Sequence, residues 1–136
     1  MEAKQLRLGN IVNFLYGSSW LQGRVTNIGE SRCVIGTQSV KPLNIQGIAI
    51  TEEWLLKLGF SEREDTVPEG YPTYWPLEGN SRFRIYYSDS NQKFNLDVFN
   101  YNTGDLVEGI ITIDHIHQIQ NLFFTLTGHE LEVGDI

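Results

Sequence analysis

The sequence predicts an α+β fold: a small barrel or curled sheet over residues 1–50, a short helix over 51–60, a connector rich in proline and aromatics over 61–81, and an antiparallel meander covered by a C-terminal helix over 82–136, together forming one compact domain. Three observations carry this. Residues 6–50 break into short apolar runs about every ten residues, separated by Gly, Asn and Ser, as small barrels do. Residues 82–113 alternate polar and apolar, the period of a half-buried strand. From Asp114 to Gly128 the period changes to that of a helix.

The first runs are Ile11-Val12-Asn13-Phe14, Trp20 to Ile28, Arg32 to Gly36 and Asn44 to Ile50. Gly17-Ser18-Ser19 and Gly29-Glu30-Ser31 punctuate them as turns, and Gly23 is expected as a bulge or bend inside the second. The pattern Leu6-x-x-Gly9-Asn10-x-Val12, then Gly23-x-Val25-x-x-Ile28 and a later Val, resembles the opening of an SH3-like small barrel. Such a likeness carries no function with it.

Thr51 is placed to cap the next helix, with Glu52 and Glu53 in the first turn where the dipole favours acids. Trp54, Leu55 and Leu58 share a face, Gly59 ends the helix, and Phe60 follows to contact its last turn. Beyond it, Val67 to Pro76 carries three prolines among three aromatics and is expected as a connector or an edge, because proline cannot donate to a ladder.

Phe83, Ile85 and Tyr87 fall on one face of a strand, and Phe94, Leu96 and Val98 on one face of the next. Leu106 to Ile113 supplies a third. Asp114 is expected as the N-cap of the closing helix and Gly128 as its left-handed terminator, with Ile116, Ile119, Leu122, Phe123 and Leu126 as its apolar stripe. His129 to Val133 alternates and is expected as an edge strand.

A chain of 136 residues with 40% hydrophobic and 20% charged residues builds an ordinary core without staples. Its single Cys33 lies in an apolar run and is expected as a buried small hydrophobe. The first residues lack an apolar signal region and no run approaches the length of a membrane span, so a soluble cytoplasmic protein is expected. The net charge of −7 works against neutralising the phosphates of a duplex.

Candidate chemistry is sparse. His115 and His117 stand two apart, which on a helix sets them about 200° apart and keeps them from sharing an ion; no metal site is expected. No Ser lies in a Gly-x-Ser-x-Gly elbow, no Gly-rich loop leads into a helix, and the acid pairs Glu62/Glu64 and Glu130/Glu132 fall at turns or edges. No catalytic residue and no cofactor is expected. The polar face of the meander is the exception. Arg82, Arg84 and Lys93 alternate to one side with Tyr86 among them, and Tyr71, Tyr74 and Trp75 of the connector are positioned to wall a pocket. Arginines beside aromatic rings suit a nucleotide-like anion; the plainer alternative is a solvated sheet neutralised by Asp97 and Glu108, with the aromatics pinning a loop.

Leu8 to Val12, Ile50 to Phe60 and His117 to Leu131 together resemble a family of small uncharacterised proteins encoded by phages and prophages of Bacteroidota. The likeness covers both ends and the first helix. It implies a phage accessory protein in the host bacterial cytoplasm, and no activity, cofactor or catalytic residue comes with it. The expected function is non-enzymatic: countering host defence by binding a small anionic nucleotide signal or a host defence protein. The alternative is a structural or interaction module in phage replication or assembly, with a homo-oligomer left open and no membrane partner.

Overall fold

The computed structural model describes residues 3–63, 73–76, 83–88, 93–99, 106–131 and 133. It is an α+β protein whose chain divides into two compact units, one of residues 1–49 with 115–130 and 136, the other of residues 50–114 with 131–135. No described helix is long and apolar enough to cross a membrane.

The first unit holds a curled antiparallel sheet of β1 (Ile11–Tyr16), β2 (Ser19–Ile28), β3 (Cys33–Ile35), β4 (Gln38–Val40) and β5 (Ile45–Gln46), in the order β4-β3-β2-β1-β5. The long β2 makes the curl. Its first half, Ser19 to Arg24, pairs with β1, and its second half, Val25 to Ile28, pairs with β3. The register slips between Val25 and Asn27, the kind of irregularity that bends a strand and lets one sheet turn a corner. A bulge or bend is expected at Gly23; the bulge falls two residues later, and Val12 and Gly23 pair in regular register. Glycine is needed there for space: a Cβ would stand 2.7 Å from Ile35 Cγ2 and 3.1 Å from the Phe14 ring. Inside the curl lie Leu6, Val12, Phe14, Val25, Cys33, Ile35, Val40 and Ile45. Cys33 is fully buried, as its apolar setting predicts.

Helix α2 (Ile116–Thr127) belongs to this unit. The periodicity assigned it to the meander as a cover; its contacts instead join it to β1, because its polar side chains complete backbone hydrogen bonds there. It also begins one residue later than Asp114 suggests. His115 is the N-cap, and its N–H donates to Gln118 Oε1 at 2.8 Å, the returning half of a capping box. Gly128 closes the helix at φ 76°, its N–H donating to Phe124 O at 2.8 Å. Ile116, Ile119 and Phe123 of the expected stripe are buried. The described residues of 129–133 form no strand, contrary to their alternation.

The second unit opens with α1 (Glu52–Lys57), where Thr51 Oγ1 accepts from the Trp54 N–H at 3.2 Å. Trp54, Leu55 and Leu58 are buried as the spacing predicts, Gly59 takes φ 88°, and Phe60 is 1% exposed. A five-stranded antiparallel meander follows: β6 (Phe60–Arg63), β7 (Thr73–Pro76), β8 (Phe83–Ser88), β9 (Lys93–Phe99) and β10 (Leu106–Ile113). The supposed connector therefore contributes two strands. Pro76 is tolerated because β8 pairs with β7 only at Thr73 and Tyr74, so the proline interrupts no ladder on that side. The pairs Phe83–Val98, Ile85–Leu96 and Tyr87–Phe94 stand opposite one another in register, joining the two apolar rows read from the alternation.

Candidate functional site

The ladder of β8 and β9 sets Arg84 opposite Asp97, Tyr86 opposite Asn95 and Ser88 opposite Lys93. Side chains directly opposite on antiparallel strands share a face. Arg84, Tyr86 and Lys93 are thereby brought to one face, as the alternation predicts. Tyr74 and Trp75 lie in β7, opposite Ile85 and Ser61, rather than in a loop, and the pairing of Tyr74 with Ile85 sets position 74 on the other face from Arg84 and Tyr86, so it does not join them as expected. Arg82 and Tyr71 lie outside the described residues.

Of the two acids expected to neutralise this face, Asp97 does so. Arg84 Nε donates to Asp97 Oδ2 at 3.0 Å, with the arginine side chain 21% exposed and the aspartate 7%. The guanidinium carbon lies 5.9 Å from the centre of the Tyr86 ring. Burial raises the Tyr86 phenol above its ordinary 10, the Asp97 charge raises it further, and Arg84 opposes the shift. Beside them Asn95, 1% exposed, accepts from Thr112 Oγ1 at 3.3 Å and donates to Lys93 O at 3.2 Å. Lys93 Nζ lies 3.5 Å from Asp114 Oδ1, both about half exposed. The arrangement is a half-buried polar layer with one arginine fixed in place by a carboxylate.

A second polar cluster escaped the sequence reading. In the first unit, the Ile11 N–H donates to Gln120 Oε1 at 2.9 Å, and Gln120 Nε2 donates to Gly9 O at 3.2 Å. Asn10 Nδ2 donates to Asn121 Oδ1 at 2.8 Å while Asn10 Oδ1 accepts from the Arg7 N–H at 2.7 Å. Arg7 pairs with Glu130 and lies 3.8 Å over the Phe124 ring. The two end motifs, Leu8 to Val12 and His117 to Leu131, thus meet through hydrogen bonds, which gives them a structural role. No role was expected for Gln120; its position one turn from Ile116 was the available sign that it borders the buried stripe.

The histidines also correct the spacing argument. With His115 at the cap and not inside the helix, its ring stacks on that of His117, centroids 5.6 Å apart and planes 15° from parallel. His117 is 5% exposed, and its Nδ1 is buried with no hydrogen-bond partner. Burial and the neighbouring His115 lower its pKa to about 4, so the ring is neutral near pH 7. Among the described residues no three His, Cys, Asp or Glu side chains gather as a metal site would require. No family model, curated protein or solved structure matches the chain.

Proposed function

We propose that the chain is a non-enzymatic accessory binding protein of the phage and prophage kind that its end motifs resemble. In this reading it works in the host bacterial cytoplasm against a defence pathway, and its ligand is a small anionic, nucleotide-like signal. The first unit serves as an SH3-like scaffold, and the ligand sits on the meander face at Arg84, Tyr86 and Lys93, with Arg82, Tyr71 and Trp75 as the further contacts.

One observation carries the reading: Arg84 is held half-buried beside the Tyr86 ring by Asp97, which fixes a cation next to an aromatic surface before any ligand arrives. Pre-placement of that kind spares a ligand the cost of ordering a long side chain. The test is calorimetry and thermal shift of the pure protein with cyclic oligonucleotides and NAD-derived signals. Saturable heat that disappears in Arg84→Ala supports it. No heat with any of them, together with capture of one defined host protein, replaces it with the protein-binding form.

A further inference from the structure

The chain's net charge of −7 is distributed unevenly. The first unit carries five Lys and Arg against three Asp and Glu, a formal +2, and the second carries five against fourteen, a formal −9. Of the first unit's three acids, Glu130 is already paired with Arg7. An acidic protein therefore contains a mildly basic curled sheet. Charge asymmetry between parts of a chain points to a polyanionic partner more directly than total charge does. At ~0.1 M salt the screening length is about 10 Å, so a ligand responds to the residues it touches.

Strand β2 shows where such a partner fits. Val25 faces the core, and the close approach of Ile35 and Phe14 to Gly23 places that residue on the same side. Trp20, Gln22, Arg24 and Thr26 alternate to the opposite side, and all four are exposed. Asn13 and Leu15 of β1 stand opposite Gln22 and Trp20 on that face. Ser39, paired with Val34 between the buried Cys33 and Ile35, faces the same way. Arg32 lies over it, donating to Ser39 Oγ at 2.7 Å and Ser39 O at 3.1 Å. No described carboxylate pairs with Arg24.

We propose that this outer face of β2, with Trp20, Gln22 and Arg24 in a row and Arg32 beside them, binds single-stranded nucleic acid. The exposed indole offers a stacking surface that any unpaired base can use, and the two arginines offer charge to the phosphates between bases. The amides of Gln22 and Asn13 supply donors and acceptors for base edges. A duplex hides its base faces, and two arginines are too few to hold it through phosphates alone. An acidic peptide would use the arginines but leave the indole and the amides without a matching group.

The experiment uses the full chain with labelled oligothymidylate and oligouridylate of about 16 nucleotides, at ~50 mM salt. Expected are a saturable rise in anisotropy, a matching loss of tryptophan fluorescence, and weakening as salt increases. The two oligonucleotides distinguish DNA from RNA as the source. Trp20→Ala weakens binding at least about fivefold, the low end of one stacked base, whereas Trp20→Phe keeps most of it. Arg24→Glu also weakens it, while Lys57→Glu, the same charge change in the other unit, leaves it intact. Absence of binding to both oligonucleotides overturns the proposal. So does equal affinity for a duplex of the same length, or parental affinity in both Trp20→Ala and Arg24→Glu, or sedimentation showing that Trp20 is covered by a second copy of the chain.

Discussion

Gln120 holds Ile11 as a neighbouring strand would. Its side-chain amide accepts from the Ile11 N–H at 2.9 Å and donates to Gly9 O at 3.2 Å, so one helical residue satisfies backbone groups on both sides of Asn10. Strand β5 is two residues long and pairs with β1 only at Asn13 and Phe14, leaving this part of β1 to the helix.

Gln120→Ala should therefore cost about 2–3 kcal/mol, because a buried donor and a carbonyl both lose their partner. Chemical denaturation followed by the signal of the first unit measures it. A loss below about 0.5 kcal/mol would mean that water replaces the amide, and the contact would then be incidental.

His117 makes the first unit sensitive to acid. Its folded pKa of about 4 lies below the ordinary 6.5, so the unfolded chain takes up the proton more readily. The stability tied to the neutral ring is fully present above about pH 6.5 and is lost as pH falls through the window from 6.5 to 4. The total is on the order of 3 kcal/mol for a shift of this size. His117→Leu should flatten that slope and cost little at pH 7, since Nδ1 has no hydrogen bond to lose. An unchanged pH profile in the leucine variant would assign the acid response to another group.

Gly47 is required by the ring of His115. A Cβ at position 47 would lie 2.5 Å from His115 Cγ and 2.7 Å from Cδ2, and that histidine caps α2. Overpacking of this order costs about 1–3 kcal/mol, so Gly47→Ala should lower the unfolding midpoint. Pairing it with His115→Ala should recover part of the loss. Simple additivity in that double-mutant cycle would show that the clash is relieved by movement elsewhere.

Asp97 both stabilises and restrains Arg84. Asp97→Asn should destabilise the second unit by roughly 2 kcal/mol, between the values for exposed and fully buried pairs. It should also move the Tyr86 titration back toward 10, though not all the way, because burial is the larger cause. Arg84→Ala should move it up, since the guanidinium opposes the shift. Ultraviolet titration of the phenol reads both variants. If the two variants move it in the same direction, the carboxylate and the guanidinium do not act on Tyr86 in opposite senses.

Local pattern alone determined much of this protein. The cap at Thr51, the terminators Gly59 and Gly128, the apolar rows of β8 and β9, and the burial of Cys33 follow from residue chemistry and spacing, which act over a few positions. The face shared by Arg84, Tyr86 and Lys93 follows from the same alternation. Three things were decided by tertiary structure. The meander grew to five strands because β6 pairs with β7 and β7 with β8, a pairing that the proline-rich composition of the stretch conceals. Asp97, expected from the sequence as a neutralising acid, lies nearly buried against Arg84, a burial that no strand period reveals. Helix α2 went to β1 because Gln120 and Asn121 meet backbone and side-chain groups more than a hundred residues away, and hydrogen-bond demand of that kind leaves no local periodicity.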